Sequence, residues 1–248
     1  MKNRIIRSLL AVVFAVASLT AYAQKPVVGL ISGLGGDSEA AFKKLHDAGF
    51  KACQTGFSLD WNQETANKFK ALSAKYDVKI SALVYCTPNG RWNFQEGPAT
   101  IGLVPPINRL LYIDNYRKAI DFCVMAGIPA MHSHFGFIPE EPTSELYVSF
   151  IETMRDLCQY AKDKGVMIFC ETGQETPTTL IRAIKDIGTG NIFVNCDTAN
   201  LILYGKANPV DALKIVGDYV KCLHLKDGFW PTDGHNLGQQ TKIGTGDV

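Results

Sequence analysis

Three side chains that can bind a metal ion stand in the second half of the chain. Glu171, Asp197 and His224 each follow a short apolar run, and they are spaced 26 and 27 residues apart. That spacing fits one strand and one helix per interval, and polar groups at the ends of successive parallel strands meet at the rim of a β/α barrel. Two carboxylates and an imidazole suit a divalent ion such as Mn, Mg, Co or Zn. We therefore predict a metal site, with a salt-bridge network, for example Asp197 with Lys226, as the alternative.

Side-chain alternation brings further polar groups to the same lumen. Along a strand, residues two apart share a face. Lys226 therefore shares a face with His224, and on the predicted strand 129–134 His132 shares a face with His134. So many ionisable groups cannot be buried together without pairing or a metal. Lys226 is a candidate catalytic residue that could steady negative charge on a substrate oxygen, and it could equally pair with Asp197 or Asp227. The predicted substrate-binding residues are His132, His134, Gln174, Asp227 and Trp230.

The elements that position these groups alternate between strand and helix. Apolar runs predict seven strands, over 27–32, 51–56, 78–85, 129–134, 166–171, 191–197 and 219–225. Helices are predicted over 38–48, 62–75, 113–126, 143–164, 177–187 and 209–216, and the segment 86–111 is predicted as a lid or substrate wall. Alternation of this kind gives a parallel sheet with right-handed crossovers.

The choice of fold lies between an open doubly wound sheet and a closed barrel. The glycines at 33–36 do not form a dinucleotide fingerprint, and the polar groups point to one rim. We therefore predict an α/β fold, a TIM (β/α)8 barrel, with seven strands evident. Residues 227–248 are rich in glycine and lack an apolar run, so we expect the eighth strand to be missing from the C-terminus.

Residues 1–23 form a predicted secretory signal peptide. Lys2, Arg4 and Arg7 precede an apolar run, and Ala21-Tyr22-Ala23 matches a cleavage site. An uncleaved N-terminal anchor is the alternative. Without the three basic residues the formal net charge falls from +1 to −2, so the electrostatic support for nucleic-acid binding is lacking. We expect one mature domain over 24–248, exported to a bacterial periplasm without a stable membrane anchor.

The seven cysteines do not have the spacing of a small disulfide scaffold. Most lie inside apolar runs, where buried thiols act as small hydrophobic side chains. Cys170 and Cys196 hold equivalent places on two predicted neighbouring strands, so one bridge between them stays open.

Four motifs resemble the xylose isomerase-like barrel superfamily, in particular the group of sugar phosphate isomerases and epimerases. The matching stretches are 134–139 (HFGFIP), 170–177 (CETGQETP), 196–205 (CDTANLILYG) and 224–231 (HLKDGFWP). The tail 243–248 resembles the turn that introduces the last strand. The resemblance covers essentially the whole mature chain.

The resemblance implies a metal held by Glu171, Asp197, His224 and a glutamate on strand eight that this sequence does not contain. It also implies that Glu171 and the strand-eight glutamate act as acid and base on opposite faces of a metal-bound ketose, through an enediolate. Without the second glutamate, residues 1–248 are expected to have little activity. Many relatives carry a histidine where this chain has Asn200.

The expected function is that of an exported, metal-dependent sugar isomerase or epimerase. Sugar phosphates are mostly cytoplasmic and no phosphate cradle is evident, so an unphosphorylated sugar or keto-sugar is the expected substrate. The alternatives are a metal-dependent lyase or hydrolase of 3-keto-glycosides and a noncatalytic sugar-binding barrel. Export and charge disfavour a DNA-repair endonuclease. A homo-oligomer remains open.

Overall fold

Seven parallel strands form one sheet in the computed structural model, which describes residues 26–248. The strands follow one another across the sheet in chain order, and every neighbouring pair is parallel. Their bounds are β1 Gly29–Ile31, β2 Ala52–Gly56, β3 Lys79–Val84, β4 Ala130–Ser133, β5 Met167–Glu171, β6 Ile192–Asp197 and β7 Val220–His224. The predicted strands are thus confirmed, although β1 is shorter than expected.

The sheet curls as a TIM barrel does. Gln54 on β2 lies 3.0 Å from His224 on β7, although four strands separate them in the sheet order. Within residues 26–248, no eighth strand pairs with β1 or β7. Two short strands, β8 Asp227–Gly228 and β9 Gln240–Thr241, form a separate antiparallel ribbon.

Eight helices connect or flank these strands. They are α1 Ser38–Asp47, α2 Gln63–Tyr76, α3 Gly97–Thr100, α4 Pro106–Ala126, α5 Glu145–Asp163, α6 Pro177–Ile187, α7 Thr198–Leu203 and α8 Pro209–Val216, with a 3-10 turn at Gly217–Tyr219. The predicted start of α6 is confirmed, since Thr176 caps it and Pro177 takes its first position. Gly127 ends α4 in the left-handed conformation, as predicted.

The two faces of the sheet carry different cores. Phe169 packs in the lumen with Ala82 and Ala130. Ile168 and Cys170, which alternate with Phe169, belong to the large cluster between sheet and helices. This division confirms the predicted alternation on β5 and places Glu171, two residues after Phe169, on the lumen face.

The segment 86–111 is a fixed wall rather than a loose lid. It contains α3, and α4 begins seven residues earlier than predicted because Pro106 occupies a first helical turn, where no backbone N–H is required. Ile101, Leu103 and Val104 are at most 2% exposed. Leu103 donates its backbone N–H to the Phe135 carbonyl oxygen at 3.0 Å, which fastens the wall to the end of β4.

Gly102 lies where this wall crosses the chain after β4. Its φ is +68°, and an added Cβ would overlap the Phe135 carbonyl. We expect Gly102→Ala to lower the free energy of unfolding by about 3 kcal/mol or more, because it adds steric overlap to the cost of a left-handed backbone. Urea denaturation would measure this loss.

Gly49→Ala provides the matched control. Gly49 has a φ of +82° but nothing within 4 Å of an added Cβ. It should lose only about 1–2 kcal/mol, the cost of the backbone conformation alone. Equal losses for the two variants would contradict the tight crossing.

The cysteines are all free thiols, including Cys170 and Cys196, so the bridge left open between them is absent. From residue 26 onward, the structure contains no helix with the length and apolar character needed to cross a bilayer. The predicted signal peptide lies outside the described residues.

Candidate metal centre

Glu171 is the centre of the polar cluster at the C-terminal ends of β4 to β7. Its Oε2 lies 2.6 Å from His132 Nε2 and 3.5 Å from His134 Nε2. Its Oε1 lies 3.2 Å from His224 Nδ1 and accepts a hydrogen bond from Asn200 Nδ2 at 2.9 Å. The carboxylate is almost fully buried, with 7% of its side chain exposed. One glutamate therefore joins strands four, five and seven.

His132 shows that this cluster fits a cation. The His132 side chain is 2% exposed, and neither of its ring nitrogens has a hydrogen-bond partner. Its Nε2 and the Glu171 Oε2 form a close nitrogen–carboxylate contact of 2.6 Å. A divalent ion that bound both atoms would also give the imidazole nitrogen a partner. Ligand atoms of His132, Glu171 and His224 all lie within 4.8 Å of one another.

Asp197 stands beside this group of three. Its Oδ2 lies 3.9 Å from His224 Nδ1 and 3.6 Å from Lys226 Nζ. Its Oδ1 accepts the backbone N–H of Asn200 at 2.8 Å and so caps α7. The structure thus brings together the three predicted ligands and adds His132, which the sequence analysis had assigned to substrate. The helix α7 was not predicted.

Asn200 connects the two halves of the site. Its Oδ1 accepts from Lys226 Nζ at 2.5 Å while its Nδ2 donates to Glu171. An ammonium group can only donate, so this contact fixes the amide orientation. The asparagine that replaces the relatives' histidine therefore orients a carboxylate and an ammonium group together. It is 5% exposed.

The buried carboxyl groups of Glu171 and Asp197 favour positive charge in the site. Burial alone would raise the pKa of Glu171, but the three surrounding histidines outweigh it and hold that pKa well below its usual value. Burial raises the pKa of Asp197 to about 6; Lys226 opposes the rise and the Glu171 charge adds to it. Burial would lower the pKa of His224, but the two carboxylates outweigh it and raise that pKa. A proton or a metal ion bound in the site would supply this positive charge.

His134 lies on the wall side of the cluster. Its Nδ1 is 3.1 Å from Gln174 Oε1, and its ring stands 4.8 Å from the Trp92 ring, centroid to centroid. Gln174 is 1% exposed and its Nε2 has no partner. Burial lowers the pKa of His134, against the pull of Glu171. His134, Gln174 and Trp92 thus form one side of the site, which is polar except for the indole ring.

Asp227 and Trp230 follow β7 in the chain. The Asp227 carboxylate accepts five backbone N–H groups, from Gly228, Gly244, Thr245, Gly246 and Val248. These bonds, that of Gly246 foremost, lower its pKa. Asp227 therefore anchors the C-terminal tail, and its contact with substrate stays a prediction. Trp230 is 37% exposed, and its role with sugar stays a prediction.

The fold and the site together define a TIM barrel with a cluster of histidine and carboxylate side chains at the C-terminal ends of its strands, and this cluster could hold a metal ion. The family model described as xylose isomerase-like TIM barrel matches residues 42–248. The chain belongs to this family, which confirms the resemblance seen in the motifs.

Solved structures agree on the architecture. A xylose isomerase domain protein from Planctomyces limnophilus is 28% identical, with a TM-score of 0.83, over 91% of this chain and 84% of that one. An L-ribulose 3-epimerase is 16% identical, with a TM-score of 0.67, over 90% and 73%. A xylose isomerase-like protein from Mycobacterium smegmatis in complex with magnesium is 16% identical, with a TM-score of 0.63, over 91% and 83%. None of the curated proteins matches the chain.

Proposed function

We propose that the protein is an exported, divalent-metal-dependent sugar isomerase or epimerase. The observation that carries this proposal is the contact of Glu171 with His132 and His224, which fits a cation. The similar L-ribulose 3-epimerase supports the sugar class, and the similar magnesium complex supports the metal. The ion would be Mn, Mg, Co or Zn, held by Glu171, His224, Asp197 and His132.

The chemistry would be removal of a proton next to a sugar carbonyl. A divalent ion supplies polarisation of that carbonyl. The lowered pKa of Glu171 keeps its carboxylate ionised and able to accept a proton. Lys226, held beside Asp197 by Asn200, would place its ammonium charge where negative charge develops on the substrate oxygen.

Substrate would lie against the wall formed by His134, Gln174 and Trp92. The unpartnered Gln174 Nε2 is a donor suited to a sugar hydroxyl, and an indole ring presents an apolar face to a pyranose or furanose ring. These features suit an unphosphorylated sugar or keto-sugar, in keeping with the proposed export to a bacterial periplasm.

The test is hydrogen exchange in deuterated water. The protein loaded with Mn²⁺, Mg²⁺, Co²⁺ or Zn²⁺ is incubated with ketopentoses, ketohexoses and a 3-keto-glucoside, and the products are followed by NMR and mass spectrometry. We expect slow incorporation of deuterium on the carbon next to the carbonyl, because Glu171 acts without a second glutamate. We also expect an isomeric product that retains every group of the substrate, and loss of exchange with a chelator.

Two other outcomes would overturn the proposal. Release of an aglycone from the 3-keto-glucoside would indicate a lyase or hydrolase. Sugar binding without exchange under any of the four metals would indicate a noncatalytic sugar-binding barrel.

A further inference from the structure

Gln54 is a buried polar residue that contacts the site from the far side of the lumen. It lies on β2, is 6% exposed, and belongs to none of the motifs of the second half of the chain. Its Oε1 is 3.0 Å from His224 Nε2, and its Nε2 is 3.1 Å from Cys222 Sγ. The glutamine therefore contacts two residues of β7 at once.

Cys222 determines how the Gln54 amide is oriented. The thiol points its hydrogen at the Leu223 carbonyl oxygen, 4.0 Å away, so its sulfur is free to accept. The Gln54 amide N–H donates to that sulfur, and the amide oxygen consequently faces His224.

An amide oxygen can only accept a hydrogen bond, so it selects one tautomer of His224. The hydrogen of the neutral imidazole stands on Nε2, where Gln54 Oε1 receives it. The bare nitrogen is then Nδ1, which is 3.2 Å from Glu171 Oε1 and 3.9 Å from Asp197 Oδ2. A divalent ion bound by these two carboxylates would receive the Nδ1 lone pair, and histidines that ligate a metal usually donate their other N–H to a supporting acceptor.

We propose that Gln54 is a positioning residue that holds His224 in the Nε2–H tautomer and so presents Nδ1 to the metal. This inference rests on the metal site of the proposed function. An amide supports the imidazole without adding a charge, in a cluster that already holds two carboxylates.

The first measurement requires no metal and no variant. Long-range ¹H–¹⁵N NMR of ring-labelled histidine, on the metal-free protein at alkaline pH, distinguishes the two neutral tautomers. The chain has five histidines, and loss of one signal in His224→Gln assigns His224. We expect Nε2–H at His224. An Nδ1–H tautomer in the wild-type protein would overturn the inference.

The second measurement compares two replacements of Gln54. Gln54→Met keeps the length of the side chain but removes the acceptor, so the hydrogen is expected to move to Nδ1 and donate to Glu171. Affinity for Mn²⁺ should then weaken about 10–100-fold, the usual effect of losing such a supporting contact. Gln54→Glu retains an acceptor and should keep the Nε2–H tautomer and bind Mn²⁺ more tightly than Gln54→Met. Unchanged tautomer and affinity in Gln54→Met would contradict the inference.

These readouts separate two kinds of failure. If the wild-type protein binds none of the four divalent ions, the proposed function fails, whereas the tautomer of His224 still decides whether Gln54 has the assigned role. If Mn²⁺ binds and the tautomer is the opposite one, only the role of Gln54 is wrong.

Discussion

Replacing Glu171 by glutamine is expected to abolish divalent metal binding and proton exchange. The substitution preserves the shape of the side chain but removes the negative charge that three histidines surround. In the wild-type protein the imidazole nitrogens face two carboxylate oxygens. In the variant an amide N–H₂ replaces one of those oxygens. Affinity for Mn²⁺ should fall by more than about 100-fold, the upper effect of losing a mere supporting contact. Exchange should fall by about 10²–10⁴, the usual contribution of a positioned base.

The matched control for this variant is Glu175→Gln. Glu175 follows four residues later, in the loop after β5, and is 1% exposed, but both its oxygens lack hydrogen-bond partners, and it is not one of the grouped ligands. Calorimetric titration with Mn²⁺ should show binding in Glu175→Gln and none in Glu171→Gln. Wild-type affinity in Glu171→Gln would refute the assignment of Glu171 as the central ligand.

The predicted site depended on two features that a sequence shows directly. Side chains alternate along a strand, and the last residue of a parallel strand lies at the rim of the barrel. These two facts are enough to bring Glu171, Asp197 and His224 together, and the structure places them so. They also put His132 on the correct face. Its approach to Glu171 depends on strand pairing, which sets β4 beside β5.

Gln54 was missed because its contact spans the barrel. It is 170 residues from His224 in the chain, and no motif or spacing connects them. Only the curl of the sheet brings β2 within reach of β7. A lone glutamine in a strand gives no signal of this kind, since the same residue type is common on exposed surfaces.

The errors in the sequence analysis have local physical causes. The start of α4 was placed too late because two prolines suggested a loop, although Pro106 is tolerated in a first helical turn. The sequence analysis also gave no sign that Asp227 binds the tail, because its backbone N–H partners lie up to 21 residues away in the chain. A residue next to a rim can serve the chain itself as readily as a ligand.

The second large effect is expected at Glu175, where glutamine should stabilise the protein. Burial raises the pKa of Glu175 to about 8, with Glu140 and Glu171 adding to the rise and its own backbone N–H and Lys206 opposing it. In the unfolded chain this carboxyl ionises near 4.5. Between these two values only the folded state holds the proton, so folding stability falls as the pH rises. Above about 8 the loss is complete and constant.

Glu175→Gln removes this penalty because an amide cannot ionise. Near pH 4.5 the variant and the wild type should be about equally stable, since the carboxyl is protonated in the folded state and half so in the unfolded state. From there the advantage of glutamine should grow with pH and level off above about 8, at a value on the order of 5 kcal/mol. Urea denaturation at a series of pH values would measure it. A difference that does not change with pH would show that Glu175 is not buried as a neutral acid.

In the metal-free protein, the contribution of Glu171 to folding stability should depend on pH in the opposite direction to that of Glu175. Comparing the two variants is therefore a stringent test. The pKa of Glu171 is lowered in the folded state, so its charge contributes stability above the unfolded value, and that contribution is lost as the pH falls. Glu171→Gln should therefore be less stable than the wild type at neutral pH, where Glu175→Gln is more stable. The two glutamates are four residues apart. Three histidines surround Glu171, whereas the carboxyl oxygens of Glu175 have no hydrogen-bond partner. Effects of the same sign in both variants would contradict this assignment of charged and neutral carboxyl groups.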